Sequence, residues 1–335
     1  MERNGNIDIM KGLGILLVMY YHSAPHFPID LTIDPLVSTI SYVINTFFMQ
    51  IFFFCSGFLM ILSDLKKTPT DDKKNRLGLE KYLQRRFIRL MIPYFTFAII
   101  SVLLRVLLGA ITRSDISLVE GLINIFIYAK YFWFLFVLFV ITIFFNILRI
   151  ITSKWSLWIV FGLILSFLSY IKPIELFHLD RICYFSLFVI LGGVAAVFRN
   201  KISFLRKNKY LCLFAFLYMY LLYVLSELNE GLGKYIIEIS TSMCAILFIY
   251  SCSYKLIKSA LLFKILKYFS NYSLQYYLFQ DLLCLPIYYC VLMFHIPSAI
   301  ISVVTIFILL VTFSFVCLHI CIRIPCTSMF LGLKK

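Results

Sequence analysis

Apolar residues in this chain come in long blocks, separated by short polar segments. Blocks near 9–26, 40–62, 90–111, 131–148, 155–171, 183–198, 210–226, 235–253, 268–290 and 298–322 contain few charges. Each is close to the roughly 20 residues an α-helix needs to cross a hydrocarbon core about 30 Å thick. Runs of this length exceed a membrane β-strand, and a helix satisfies its own backbone where there is no water. The pattern predicts an all-α, polytopic membrane helical bundle of about ten transmembrane helices. The whole chain, 1–335, is expected to form one membrane-embedded domain with no fused soluble domain.

Composition supports this. With 62% hydrophobic and 14% charged residues over 335 positions, the chain carries more apolar side chain than a soluble domain buries. The net charge of +15 raises the question of a nucleic-acid partner, and its distribution answers it. The segment 63–89, expected as a cytoplasmic basic loop, holds Lys66, Lys67, Lys73, Lys74, Arg76, Lys81, Arg85, Arg86 and Arg89, whereas the alternate set of loops offers Arg113, Lys130, Lys172, Arg181 and Lys234. That asymmetry follows the positive-inside rule and places both termini in the cytoplasm. The expected partners of the charge are membrane lipids, and no nucleic acid is expected.

Smaller features refine the layout. Leu79 to Leu90 alternates charge and apolar residues as a short interfacial helix would. Residues 118–130 are too short and polar to span, and are expected at the outer surface or dipping back into the bundle. Asp8 and Lys11 interrupt what would be a signal-peptide apolar region, which favours a retained first helix. The ten Cys lie mostly within the blocks and form no CxxC pair, so they read as small buried residues and no metal site is expected.

Chemistry has to arise between helices. Asp8, Lys11 and His22 are spaced by three and eleven residues, so all three project from one face of a helix, with His22 about 16 Å beyond Lys11. Each charge at mid-membrane costs about 2.5–3.5 kcal/mol on insertion scales. Asp8 and Lys11 therefore either snorkel to the inner boundary or face a wet functional cavity. His22 is either a hydrogen-bonded packing residue or a base able to accept a proton near neutral pH. Ser23 adjoins His22 in sequence but does not face it on a helix, which argues against a nucleophilic serine.

A second constellation is Arg85, Arg86 and Arg89 at the mouth of the third block. Arg86 and Arg89 share a helix face, and guanidinium forks suit phosphates; ordinary positive-inside charge is the competing reading. Trp133 is either an interfacial anchor or part of an acceptor groove. Glu238, Gln280 and Asp281 are polar residues inside apolar blocks that either reach a common cavity or bond across helices.

In order along the chain, these motifs resemble the acyltransferase 3 family of integral membrane acyltransferases. Ile7 to Ser23, with Lys11 and His22, resembles the opening motif; Met49 to Phe58 with its Ser-Gly resembles the second; Arg86-Phe-Ile-Arg89 followed by Pro93-Tyr94 resembles the third. Phe132 to Leu135 and Ser270 to Leu278 are similar to two later ones. Lys11 in place of the frequent Arg points to the branch of fucose or sugar O-acetylases. Phe48, Gln50 and Gln280 depart from that branch, which often has His, Pro and His there.

The resemblance implies an O-acyltransferase of a bacterial plasma (inner) membrane. Acyl-CoA, most simply acetyl-CoA, would be the cytoplasmic donor with its phosphates at Arg86 and Arg89. The acceptor would be a hydroxyl of a cell-surface glycan or lipid-linked sugar, with His22 as general base beside Asp8 and Lys11. A multi-span transporter or flippase of a glycolipid is the alternative, disfavoured by the lack of an inverted repeat. A glycan polymerase or ligase would be expected to carry a large basic outer loop, which this chain lacks.

Overall fold

The computed structural model describes residues 4–26, 29–30, 34–64, 75–107, 117–206, 208–226, 231–294, 298–324 and 327–333. The basic positions Arg3, Lys66, Lys67, Lys73, Lys74 and Arg113 fall outside these ranges. The longer helices are α1 Gly5–Tyr21, α2 Pro35–Asn45, α3 Phe48–Asp64, α4 Asn75–Leu107, α5 Leu118–Phe126, α6 Trp133–Ile151, α7 Trp155–Ile171, α8 Leu179–Val197, α9 Lys209–Ser226, α10 Leu232–Leu256, α11 Ala260–Asn271, α12 Ser273–Met293 and α13 Ala299–Arg323. Apart from an antiparallel pairing of Pro25–His26 with Ile29–Asp30, the architecture is all-α.

Seven helical segments among the described residues are long and apolar enough to cross a membrane: Pro35–Ser63, Glu80–Leu107, Trp133–Ile151, Leu176–Val197, Lys209–Ser226, Leu232–Leu256 and Ala299–Arg323. The fold is thus a membrane helical bundle, with seven spans supported by length and composition where the sequence suggests ten. The other three blocks correspond to α1, α7 and the pair α11 and α12. Helix α1 has 17 residues and carries Asp8 and Lys11. Helix α7 is also 17 residues long, at the short end of the roughly 17–25 residues a membrane helix uses. The block 268–290 breaks at Tyr272 between α11 and α12, and α12 is itself 21 residues long.

The reading of 63–90 changes. Residues 79–90 are no separate interfacial helix, and the segment 63–89 is a loop only in part. From Asn75 onward the chain is a continuous helix of 33 residues, with Pro93 inside it, so the arginines extend the same rod that enters the membrane. By its contacts the chain forms two compact units, Met1–Cys55 with Phe198–His319 and Ser56–Val197 with Ile320–Lys335.

In the first unit, α1 packs against α10, α11 and α12, and α9 packs on α10. The helices start where side chains can take orphan N–H groups. Asn4 accepts from Asn6 N–H at the head of α1, and Asp34 accepts from Leu36 and Val37 N–H at the head of α2. The turn between α2 and α3 is secured by Ser242 of α10, whose hydroxyl donates to the Thr46 carbonyl at 2.6 Å. The approach of α1 to α11 is so close that a Cβ on Gly12 would collide with the Leu266 carbonyl.

In the second unit, α4 packs against α5 and α6, and α8 against α6 and α7. Tyr94 of α4, about 1% exposed, donates its hydroxyl to the Ile125 carbonyl at 2.6 Å and so ties the end of α5 to α4. Here Gly57 of α3 sits against the Val189 carbonyl of α8, again with no room for a Cβ. Segment 118–130 is thus a short helix and turn packed on α4, with Leu118, Val119 and Phe126 left exposed.

Because both glycines face backbone, which cannot rotate away, Gly12→Ala and Gly57→Ala are each expected to destabilise the fold by about 1–3 kcal/mol, as overpacking does. Thermal unfolding of the detergent-solubilised chain checks this. Gly233→Ala, at a position with open space around it, is the control expected to unfold like the parent.

Candidate functional site

In the first unit the ionisable stripe of α1 acquires partners from α11 and α12. Asp8 is about 5% exposed and Lys11 is half-buried. Their meeting point is Ser270, in the last turn of α11. Its hydroxyl donates to Asp8 Oδ1 at 3.2 Å, and its carbonyl accepts from Lys11 Nζ at 3.3 Å. The break at Tyr272 explains the second bond, since a helix leaves its last carbonyls without intrahelical donors. That terminus is also the negative end of the helix dipole, where a cation is favoured.

At the other end of α1, His22 lies one residue past the helix and keeps the helical bond of its N–H to the Val18 carbonyl at 3.0 Å. Its own carbonyl accepts from the Cys284 thiol of α12 at 3.1 Å. The imidazole is half-buried, set edge-on to Tyr21 at 5.5 Å, and Tyr21 stacks on Phe48 at 4.9 Å. Ser23 is fully buried, and its hydroxyl donates to the Met19 carbonyl at 2.8 Å, a local bond that turns it back on its own helix.

The other polar candidates of this unit fare differently. Gln280, about 2% exposed, lies one turn before Cys284 on α12, and its Oε1 has no hydrogen-bond partner in the structure. Asp281 next to it is exposed. Glu238 is half-buried on α10, where its carbonyl accepts from Ser242 at 3.0 Å. Ser270 and Cys284 were not among the expected site residues. Ser270 opens one of the quoted motifs, so that signal was present, whereas nothing in the spacing marked Cys284.

The arginines and Trp133 belong to the second unit. Arg85 and Arg89 are exposed and Arg86 half-buried on α4. Arg86 donates through Nε to the Tyr82 hydroxyl at 3.0 Å and lies over the Tyr82 ring at 5.3 Å. Its two terminal NH2 groups take no part in that bond, and the tyrosine limits the rotamers of a long side chain. Trp133 opens α6 beneath Arg181, whose guanidinium sits 4.1 Å from the ring centroid, and stacks with Phe185 at 5.5 Å.

The described helices form a membrane bundle with ionisable groups on the first helix and arginines near the start of a span. The Acyl_transf_3 family model, described as an acyltransferase domain, matches residues 4–319, and the chain belongs to that family. No curated protein and no solved structure matches it.

Ser270→Ala removes the hydroxyl that serves Asp8 while keeping the carbonyl that serves Lys11. It is expected to lower stability by about 1–3 kcal/mol, the cost of a lost hydrogen bond to a buried charged group. Chemical denaturation in detergent measures the loss, and Ser270→Thr is expected to recover most of it.

Proposed function

We propose that this acyltransferase transfers an acetyl group from acetyl-CoA to a hydroxyl of a cell-surface glycan or lipid-linked sugar in a bacterial plasma membrane. The observation that carries the reading is the organised stripe of α1, with Asp8 and Lys11 both bonded to Ser270 on the helix that ends at His22. The family membership supplies acyl transfer. The donor, the acceptor and the roles below are inferences from side-chain chemistry and from the motif resemblance.

In this reading His22 takes the proton of the acceptor hydroxyl as its oxygen attacks the thioester carbonyl. The new C–O bond forms and the C–S bond breaks. The imidazolium returns the proton to the departing thiolate, leaving CoA as the free thiol. Asp8 and Lys11 act on the stripe rather than on the reacting atoms, holding α1 against α11 so that its end keeps a defined position. Arg86 and Arg89, with Arg85 beside them, bind the donor phosphates through charge-assisted hydrogen bonds. By the positive-inside rule the arginine-bearing start of α4 is cytoplasmic, which gives the arginines access to cytosolic acyl-CoA.

The test is transfer of labelled acetyl groups from acetyl-CoA in membranes containing the protein. His22→Ala is expected to lose about 100-fold or more of the rate, the range of a general base; wild-type transfer by this variant would overturn its role. Arg86→Ala is expected to raise the KM for acetyl-CoA about tenfold with little change in kcat, as loss of a charged hydrogen bond requires. A fall in kcat alone would contradict a donor-binding role. Comparing the envelope glycan with and without the protein, by mass and ester position, identifies the acceptor.

A further inference from the structure

Four residues other than glycine in the described structure have left-handed backbone, and all four lie in two connections of the second unit. Ala129 at φ 48° and Phe132 at φ 50° lead into α6, and Phe177 at φ 53° and His178 at φ 50° lead into α8. The connections are bonded together, Phe177 N–H donating to the Ile127 carbonyl at 3.1 Å. Such backbone is costly for residues with a Cβ and concentrates where function demands it. A turn alone would be served by glycine, so each side chain needs a reason.

Packing supplies that reason for two of them. Ala129 and Phe132 are buried, and Phe132 meets Phe97 edge-on at 6.1 Å. Packing does not supply it for His178. Its side chain is 11% exposed, and Nδ1 lies 3.9 Å from Asp180 Oδ1. Nε2 is buried and has no hydrogen-bond partner, and neither has that carboxylate oxygen. Buried polar atoms are nearly always satisfied, so two orphans side by side ask for a missing partner. Asp180 and the Ala129 backbone both favour a proton on the ring nitrogen that faces them, and Nε2 is the nitrogen left without a partner.

The surroundings define what that partner is. The ring of His178 is 6.2 Å from Trp133, on whose face Arg181 is stacked. Stacking uses the flat face of the guanidinium, while its N–H donors lie in the plane, oriented by the aromatic beneath. An acceptor nitrogen, a carboxylate and a planar donor fork held on an aromatic ring within one cluster match a sugar, whose hydroxyls both donate and accept.

Position favours the same ligand. Arg105 of α4 lies over Tyr131 at 5.5 Å, so this cluster adjoins the C-terminal end of α4. Arg86 is nineteen residues earlier on that helix, about 28 Å away along the axis, which is close to the hydrocarbon thickness.

We propose that His178, Asp180 and Arg181, on the Trp133 platform, form a binding subsite for a pyranose ring of the acceptor at the membrane face opposite Arg86. The assignment rests on the proposed transfer to a glycan hydroxyl and names where that glycan is held. In it a sugar hydroxyl donates to His178 Nε2, Asp180 accepts from a second hydroxyl, and Arg181 donates to ring or substituent oxygens.

The test titrates methyl glycosides of glucose, galactose, mannose and N-acetylglucosamine into the detergent-solubilised full chain. Emission of Trp133 is followed with Trp155→Phe and Trp158→Phe in place, or in the parent chain should that variant fail to fold. At least one glycoside is expected to change the emission saturably. His178→Asn, which tolerates the left-handed backbone, is expected to weaken that binding about tenfold, the equivalent of one hydrogen bond. No response to any glycoside, or equal affinity in His178→Asn, overturns the subsite. Sugar binding by a chain that transfers no acetyl group would instead overturn the proposed reaction and leave the subsite standing.

Discussion

A carboxylate and an ammonium one turn apart on a helix in an apolar bundle must find partners, and the arrangement of the first unit follows from how they do so. Neither charge could be left in hydrocarbon without several kcal/mol of penalty. The partner is the C-terminus of α11, whose final turn offers Asp8 a hydroxyl and Lys11 a carbonyl from the same residue. That terminus exists only because the chain breaks at Tyr272. The close approach at Gly12 brings the two backbones near enough for both bonds. Charge satisfaction, the helix break and the glycine are one solution to a single constraint.

The opposite end of α1 is held in a similar manner, with backbone carbonyls as acceptors. His22 presents its carbonyl to Cys284, which anchors the residue through its main chain. Its half-buried imidazole is set edge-on to Tyr21, which stacks on Phe48. Gln280, a turn before Cys284 on α12, lacks a partner for its amide oxygen. The second unit divides its chemistry between ends of one long helix. Phosphate-type donors cluster near the start of α4, and the Trp133 and His178 cluster adjoins its finish.

Much of this was legible in the sequence because it depends on local periodicity. The phase of Asp8, Lys11 and His22 needs only 3.6 residues per turn, and the shared face of Arg86 and Arg89 needs only a helix. The blocks of apolar residues announce a helical membrane bundle from their length. The same local logic failed at block 268–290. No strong breaker stands at Tyr272, so nothing in the pattern shows that the helix ends there. It failed likewise at 79–90, where a mixed apolar and charged pattern suits an interfacial helix and the first turns of a long span equally well.

The sequence by itself determined the membrane character, the helical class, the family and the chemical types available, because each is encoded in composition, run length or short motifs. Only the tertiary structure decided that Ser270 serves both Asp8 and Lys11, that Ser23 turns back on its own helix, and that His178, 45 positions after Trp133, shares one strained corner with it. These pairings join residues far apart in the chain. They depend on where helices stop and how closely they cross, which side-chain spacing does not encode.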